Sequence, residues 1–219
     1  MRDYRDDQRV VMTLDAGGTN FVFSAMRGGE EIVEPVHQSA CVDSQSRCLA
    51  QIAAGFRAVK AQLQEEPVAI SFAFPGPADY PAGIIGDLPN FPAFRGGVAL
   101  GPFLEEQFGL PVFIQNDGAL FAYGEALAGA LPAVNARLAE AGSAKRYRNL
   151  LGVTLGTGFG GGVVINGELL IGDNATGGSV WCFRNKKYPS MIAEESVSIR
   201  AVKRVYRELS GDTTALTPK

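Results

Sequence analysis

A short apolar run from Val10 to Leu14 gives way to Asp15-Ala16-Gly17-Gly18-Thr19-Asn20, and a second β-rich run, Phe21 to Met26, follows at once. Strand, glycine turn and strand in immediate succession predict a hairpin with no helix between its arms. Arg27-Gly28-Gly29 turns the chain again before Glu31 to Val36, so an antiparallel meander of three strands is expected at the start. The period then changes. Leu49, Ile52, Phe56, Val59 and Leu63 recur at helical spacing and predict an amphipathic helix over about 44–64, with Asp43 or Ser44 as its N-cap. Val68 to Phe74 returns as a buried strand, Pro75-Gly76-Pro77 breaks it, and a loop rich in glycine and proline runs to about Gly97.

Gly101-Pro102 and Gly109 bracket a short helix, Phe103 to Phe108, ahead of a strand, Pro111 to Gln115, that ends in Asn116-Asp117. Helices are expected over 118–131 and 133–141, with a polar loop to Arg148. Leu150 to Leu155 is again a strand. It runs into Gly156-Thr157-Gly158-Phe159-Gly160-Gly161-Gly162, and Val163 to Ile165 pairs with Glu168 to Ile171 across Asn166-Gly167, a strong hairpin signal. Ile199, Val202, Tyr206 and Leu209 set an apolar stripe on a last helix whose outer face is basic. The second half thus repeats the grammar of the first, and two glycine hairpins invite one nucleotide.

Gly156 to Gly161 satisfies G-x-G-x-x-G, but a dinucleotide site needs a helix after that turn, and a strand is expected here instead. Asp15 to Asn20 lacks the lysine of a P-loop and also leads into a strand. What remains is a pair of hairpins whose glycines let backbone N–H groups approach phosphate oxygens, with Thr19, Asn20 and Thr157 adding side-chain donors. Two tight β-turns without a ligand are the plain alternative.

Charge narrows the class. With a net charge of −3 and 46% apolar residues, the chain has an ordinary globular composition and no basic face for nucleic acid. No apolar stretch reaches the roughly 18–20 residues of a membrane span, and the N-terminus lacks the apolar segment of a signal peptide, so a cytoplasmic protein is expected. Cys41, Cys48 and Cys182 show no paired spacing and His37 is the single histidine, too few soft ligands for zinc. Reduced thiols are expected, since two helical turns would hold Cys41 and Cys48 about 10 Å apart.

From about Val11 to Ile199 the sequence resembles the ROK (repressor, open reading frame, kinase) family of sugar kinases, with glucokinase- and fructokinase-like members. Leu14 to Asn20 looks like its first phosphate motif, and Leu155 to Gly162 like its second. Pro75-Gly76-Pro77, the asparagine of Leu88-Pro89-Asn90-Phe91, and Phe108 to Asp117 look like its sugar loop and catalytic strand. The resemblance implies an α/β protein of the actin-like, ribonuclease H-like ATPase fold, in two domains with the site in the cleft: 1–120, then 121–219 as the start of an incomplete second. It further implies that ATP phosphorylates a hexose hydroxyl with Asp117 as general base, while Gly76, Pro77, Asn90 and Asn116 surround the sugar.

By the same resemblance Asp15 would hold Mg²⁺ through water, and the phosphates would lie on Gly17, Gly18, Thr19, Asn20, Gly156, Thr157, Gly158, Gly160 and Gly161. A homodimer is the assembly it allows. The sequence departs from the family where a Gly-Glu-x-Gly-His element is usual, because Gly177-Gly178-Ser179-Val180-Trp181 stands there, and the zinc-binding cysteine cluster is reduced to Cys182. No zinc is therefore expected. Trp181 either stacks on a sugar ring or fills a core, and Glu194, with Glu195 as its rival, resembles a later sugar-contacting glutamate. The family continues beyond the last helix with adenosine-binding segments. With Met1 to Arg9 ahead of the first strand, a DNA-binding helix-turn-helix repressor is not expected. The remaining rivals are a non-catalytic sugar-binding module or sensor and a dinucleotide oxidoreductase.

Overall fold

The computed structural model describes residues 6–16, 20–40, 44–88, 92–212 and 214. The chain divides into two compact units, Met1–Asp117 and Gly118–Lys219.

In the first unit, β1 (Val11–Ala16) and β2 (Asn20–Arg27) form the expected antiparallel pair, with Leu14 opposite Phe23 and Asp15 opposite Val22. The third strand of the meander is divided into β3 (Glu30–Glu31) and β4 (Val36–Ser39), both paired to β2. Pro35 lies at the interruption and has no N–H for the ladder. The backbone of Glu34 is satisfied instead by a side chain, since Gln62 accepts from its N–H at 3.2 Å and donates to its carbonyl at 3.1 Å.

Helix α1 (Gln45–Lys60) starts after Ser44, which has extended backbone angles, and buries Cys48, Ile52, Phe56 and Val59. It stops short of Gln64: the final N–H groups of Gln62 and Leu63 tighten onto Val59 and Lys60 carbonyls, a common way for a helix end to satisfy its last groups. β5 (Ala69–Ala73) runs parallel to β1, and β8 (Val112–Gln115) runs parallel to β5. The sheet order is β3-β2-β1-β5-β8. Between β5 and β8 the glycine-rich loop contains a small hairpin, β6 (Ala78–Asp79) with β7 (Ile84–Ile85), a 3₁₀ turn at Pro92–Phe94, and helix α2 (Leu100–Phe108). Gly101 and Pro102 are therefore inside the first turn of α2 and not in front of it. The left-handed Gly109 closes it at φ 65°.

Aromatic rings hold this unit together. Phe21, Phe23, Phe56, Phe72, Phe74 and Phe94 are all buried and follow one another with centroid separations of 6.3, 5.2, 6.0, 6.3 and 5.1 Å. Each such pair adds about 0.5–1.5 kcal/mol beyond its burial. The last member fastens the 3₁₀ turn to the end of β5.

The second unit starts in α3 (Asp117–Leu127), followed by α4 (Ala130–Glu140). The break falls at Gly129, earlier than apolar spacing suggests, because the Glu125 carboxylate accepts the Ala130 N–H at 2.7 Å and so caps α4. β9 (Leu150–Leu155), β10 (Phe159–Ile165) and β11 (Glu168–Leu169) form an antiparallel sheet in the order β11-β10-β9. β9 is one edge of that sheet, and its Leu151, Val153 and Leu155 are 62%, 43% and 65% exposed. Ala126, Leu131 and Val164 form its core cluster.

After a 3₁₀ turn at Val180–Cys182, α5 (Glu194–Val197) leads into α6 (Ile199–Ser210). The expected stripe on α6 is not its buried face. Val202, Tyr206 and Leu209 are exposed, whereas Ala201 is 1% exposed. Polar contacts tie the helix to α5: Arg200 pairs with Glu194 and Glu195, and Arg204 donates to the Glu195 carbonyl at 2.7 Å. These contacts hold the Arg200 guanidinium well above its usual range, the Glu195 hydrogen bond chief among them.

Candidate active site

Three parallel strands bring the first group of site residues to one edge of the sheet. Asp15 is in register with Ala73, and Ala73 with Gln115. Strands lie about 4.8 Å apart, so the Asp15 and Gln115 backbones stand about 10 Å from each other at the carboxyl ends of β1 and β8. The chain leaves β5 through Phe74-Pro75-Gly76 and leaves β8 through Asn116-Asp117, so Asp15, Gly76, Asn116 and Asp117 share that edge. Asp15, Gly76, Pro77 and Asp117 are exposed there and Asn116 is half-buried. The Gly76–Pro77 peptide is cis. Asn20, exposed at the start of β2, pairs with Ser39. Gly17, Gly18, Thr19 and Asn90 lie outside the described residues.

Sequence reading missed one member of this group. Tyr80, 6% exposed, donates its hydroxyl hydrogen to the Phe74 carbonyl at 3.0 Å and accepts a 3.4 Å bond from the Asn116 side-chain amide. Burial pushes the phenol up to about 12; the Asn116 bond opposes this and the negative charge of Asp117 adds to it. The available signal was modest: Tyr80 is the one side chain in the Pro75 to Asp79 stretch and its turn that joins a large ring to a polar tip.

The second unit carries the other group. Its glycine turn comprises Gly156, Thr157 and Gly158, since Phe159 already pairs with Leu155 in the ladder. Thr157 is exposed, and a Cβ at Gly156 would meet open space. Gly160 and Gly161, expected in the turn, are strand residues opposite Thr154 and Val153. The lack of a side chain at Gly118 and Gly162 lets α3 lie on β10: a Cβ on Gly118 would be 2.5 Å from the Gly161 nitrogen, and one on Gly162 would be 2.7 Å from the Ala119 Cα. Gly178 is held to glycine by the same crowding, its Cβ falling 2.5 Å from the Gly161 oxygen. A glutamate cannot stand there in this conformation.

Glu194 is built into the turn. Its Oε2 accepts the Phe159 N–H at 2.8 Å, a Cβ on Gly158 would lie 2.8 Å from the same oxygen, and Arg200 pairs with its other oxygen. Glu195, its rival, also pairs with Arg200, and that hydrogen bond is the main reason its carboxyl sits below the usual range. Trp181 is 45% exposed and so is not a core filler. Among the described residues no three His, Cys, Asp or Glu side chains cluster as a metal site.

A sheet of this order with a glycine hairpin, and a second unit that carries another between β9 and β10, belong to the actin-like, ribonuclease H-like ATPase fold. The chain belongs to the ROK family, whose profile matches residues 11–180. It is 30% identical over 167 residues to a glucokinase of Thermotoga maritima, covering 76% of this chain and 48% of that protein. It is 31% identical over 167 residues to an N-acetyl-D-glucosamine kinase of Vibrio cholerae, covering 76% and 50%. A crystal structure of a glucokinase from Parabacteroides distasonis superposes with a TM-score of 0.91 at 72% identity, covering 99% of this chain and 61% of that one. The chain thus spans about half the length of the curated relatives it matches.

Proposed function

We propose that this chain carries the catalytic base and phosphate hairpins of an ATP-dependent hexose kinase of glucokinase type. The observation that carries the reading is the Asn116-Asp117 pair at the end of β8, level with Asp15 on β1 and beside the Tyr80-braced loop. A sugar hydroxyl is a weak nucleophile, so a carboxylate must accept its proton as its oxygen bonds to the γ-phosphorus and the bond to the bridging oxygen breaks, releasing ADP. Asp117 is the group assigned that proton. Gly76, Pro77, Asn90 and Asn116 would border the sugar, and the family resemblance adds Trp181 and Glu194 as candidate sugar contacts.

Asp15, an exposed carboxylate at a strand end, offers the hard oxygen donor that Mg²⁺ prefers, directly or through water. The ion, when bound, supplies neutralisation of phosphoryl charge. The turn amides of Gly156 to Gly158, with Thr157, and the segment Gly17 to Asn20 would meet the phosphate oxygens. Gly160 and Gly161 support that turn from within the ladder. The family relationship favours a cytoplasmic enzyme, and no described helix is long and apolar enough to cross a membrane.

A second reading, a sugar-binding module or sensor without turnover, is favoured by Glu194, whose carboxylate is occupied by Phe159 and Arg200. An ADP-release assay with magnesium ATP across hexoses and N-acyl hexosamines separates the two, since only the kinase gives sugar-dependent ADP. Asp117→Asn is expected to lower kcat by about 10²–10⁴ while sugar binding by calorimetry persists. Near-normal turnover in that variant removes Asp117 as the base.

A further inference from the structure

We propose that Tyr80 is a positioning residue for sugar binding: through its hydroxyl it locks the Asn116 side chain, and with it the Asn116-Asp117 corner, to the backbone of the Gly76 loop. This rests on the reading of that corner as the sugar site.

The hydroxyl has one hydrogen, and the Phe74 carbonyl takes it at 3.0 Å. Its oxygen is therefore an acceptor towards Asn116, which fixes the amide with Nδ2 facing Tyr80 and Oδ1 turned away. The frame behind the phenol is rigid. Gly83 donates to the Tyr80 carbonyl at 3.1 Å, Ala82 donates to Asp79 Oδ1 at 3.1 Å, and Gly86 donates to the Pro77 carbonyl at 2.8 Å. The ring is buried, so its tip cannot swing to another partner without leaving the core. Phe74 at the end of β5 and Asn116 at the end of β8 are thereby tied through one oxygen, in addition to the Phe74 N–H bond to the Gln115 carbonyl at 2.9 Å.

Gly76 completes the device. A Cβ there would lie 2.9 Å from the Tyr80 hydroxyl, with every other neighbour at 3.6 Å or more. The glycine in the sugar loop is thus required by the hydroxyl and by little else, and removing the hydroxyl removes the requirement, because the nearest ring carbon is 3.8 Å away.

The test is a cycle of Tyr80→Phe, Gly76→Ala and the double variant, read as KM for sugar, kcat, and the side-chain amide resonances of Asn116 in the sugar-free protein. Loss of one neutral hydrogen bond that serves binding should raise KM about 2- to 12-fold in Tyr80→Phe with kcat nearly unchanged. Gly76→Ala should raise KM similarly alone, yet add nothing in the Tyr80→Phe background. Asn116 should shift in both single variants. A structural role alone would lower kcat through lost active protein, leave KM in place, and give additive effects. That pattern overturns the proposal, as does an Asn116 resonance that stays put in Tyr80→Phe. If the unaltered protein binds and phosphorylates no hexose, the kinase reading falls, and the Asn116 resonances still decide whether Tyr80 holds the amide.

Discussion

Asn185 is 3% exposed and uses both ends of its amide on one loop. Its Nδ2 donates to the Ile192 carbonyl at 3.0 Å and to Ser196 Oγ at 2.7 Å, while Oδ1 accepts from the Lys187 and Tyr188 N–H groups at 3.0 and 2.9 Å. One side chain thus staples the segment between Cys182 and α5 where the family resemblance would place metal-binding cysteines. Asn185→Ala removes four part-buried hydrogen bonds, each contributing about 0.5–1.5 kcal/mol. Thermal denaturation should show a clear fall in Tm, and a zinc-selective chelator should leave the Tm of the unaltered protein where it was. Trp181, the single tryptophan, stands half out of the surface nearby. Its emission should shift on titration with the sugar that supports turnover, and an unmoved spectrum at saturation would remove it from the sugar face.

At the scale of elements, α3 and β10 meet backbone to backbone. Gly118→Ala sets a methyl 2.5 Å from a main-chain nitrogen that cannot rotate away, so the helix must lift, at a cost of about 1–3 kcal/mol or more. Gly124, on the same helix, faces open space, and Gly124→Ala should stabilise by about 0.5–1 kcal/mol. Chemical denaturation of the two variants should move the midpoint in opposite directions. This packing also shows what sequence could and could not say. The limits of β9, the two hairpins and the stripe of α1 were legible because they depend on local period and turn residues. Gly160 and Gly161 were read as turn because what crowds them, Thr154 across the ladder for one and Val180 and Gly178 for the other, is brought there by pairing and by a later segment that no local pattern reveals. The stripe on α6 also differed from the structure: Ala201 is its buried position, Val202, Tyr206 and Leu209 are exposed, and Arg200 at its start pairs with Glu194 and Glu195. Tyr80 was missed because a hydroxyl bridge between two strand ends has no spacing signature.

Across the whole chain the two units are unequally built. The first has a continuous file of buried phenylalanines across its sheet and α1, whereas the core cluster of the second is Ala126, Leu131 and Val164. Stability should follow apolar burial. Amide hydrogen exchange is expected to be slowest in β1, β2 and β5 and distinctly faster in β9 and β10, and equal protection in both would refute that ranking. The edge strand β9 has a consequence for handling the molecule. Among the described residues no strand pairs with the outer side of β9, and that margin, backed by exposed Leu151, Val153 and Leu155, can template another strand. As concentration rises, β9 is expected to pair with β9 of a second copy, a contact that uses the same edge on both and so closes into a dimer; a mass by light scattering that does not rise with concentration would refute it.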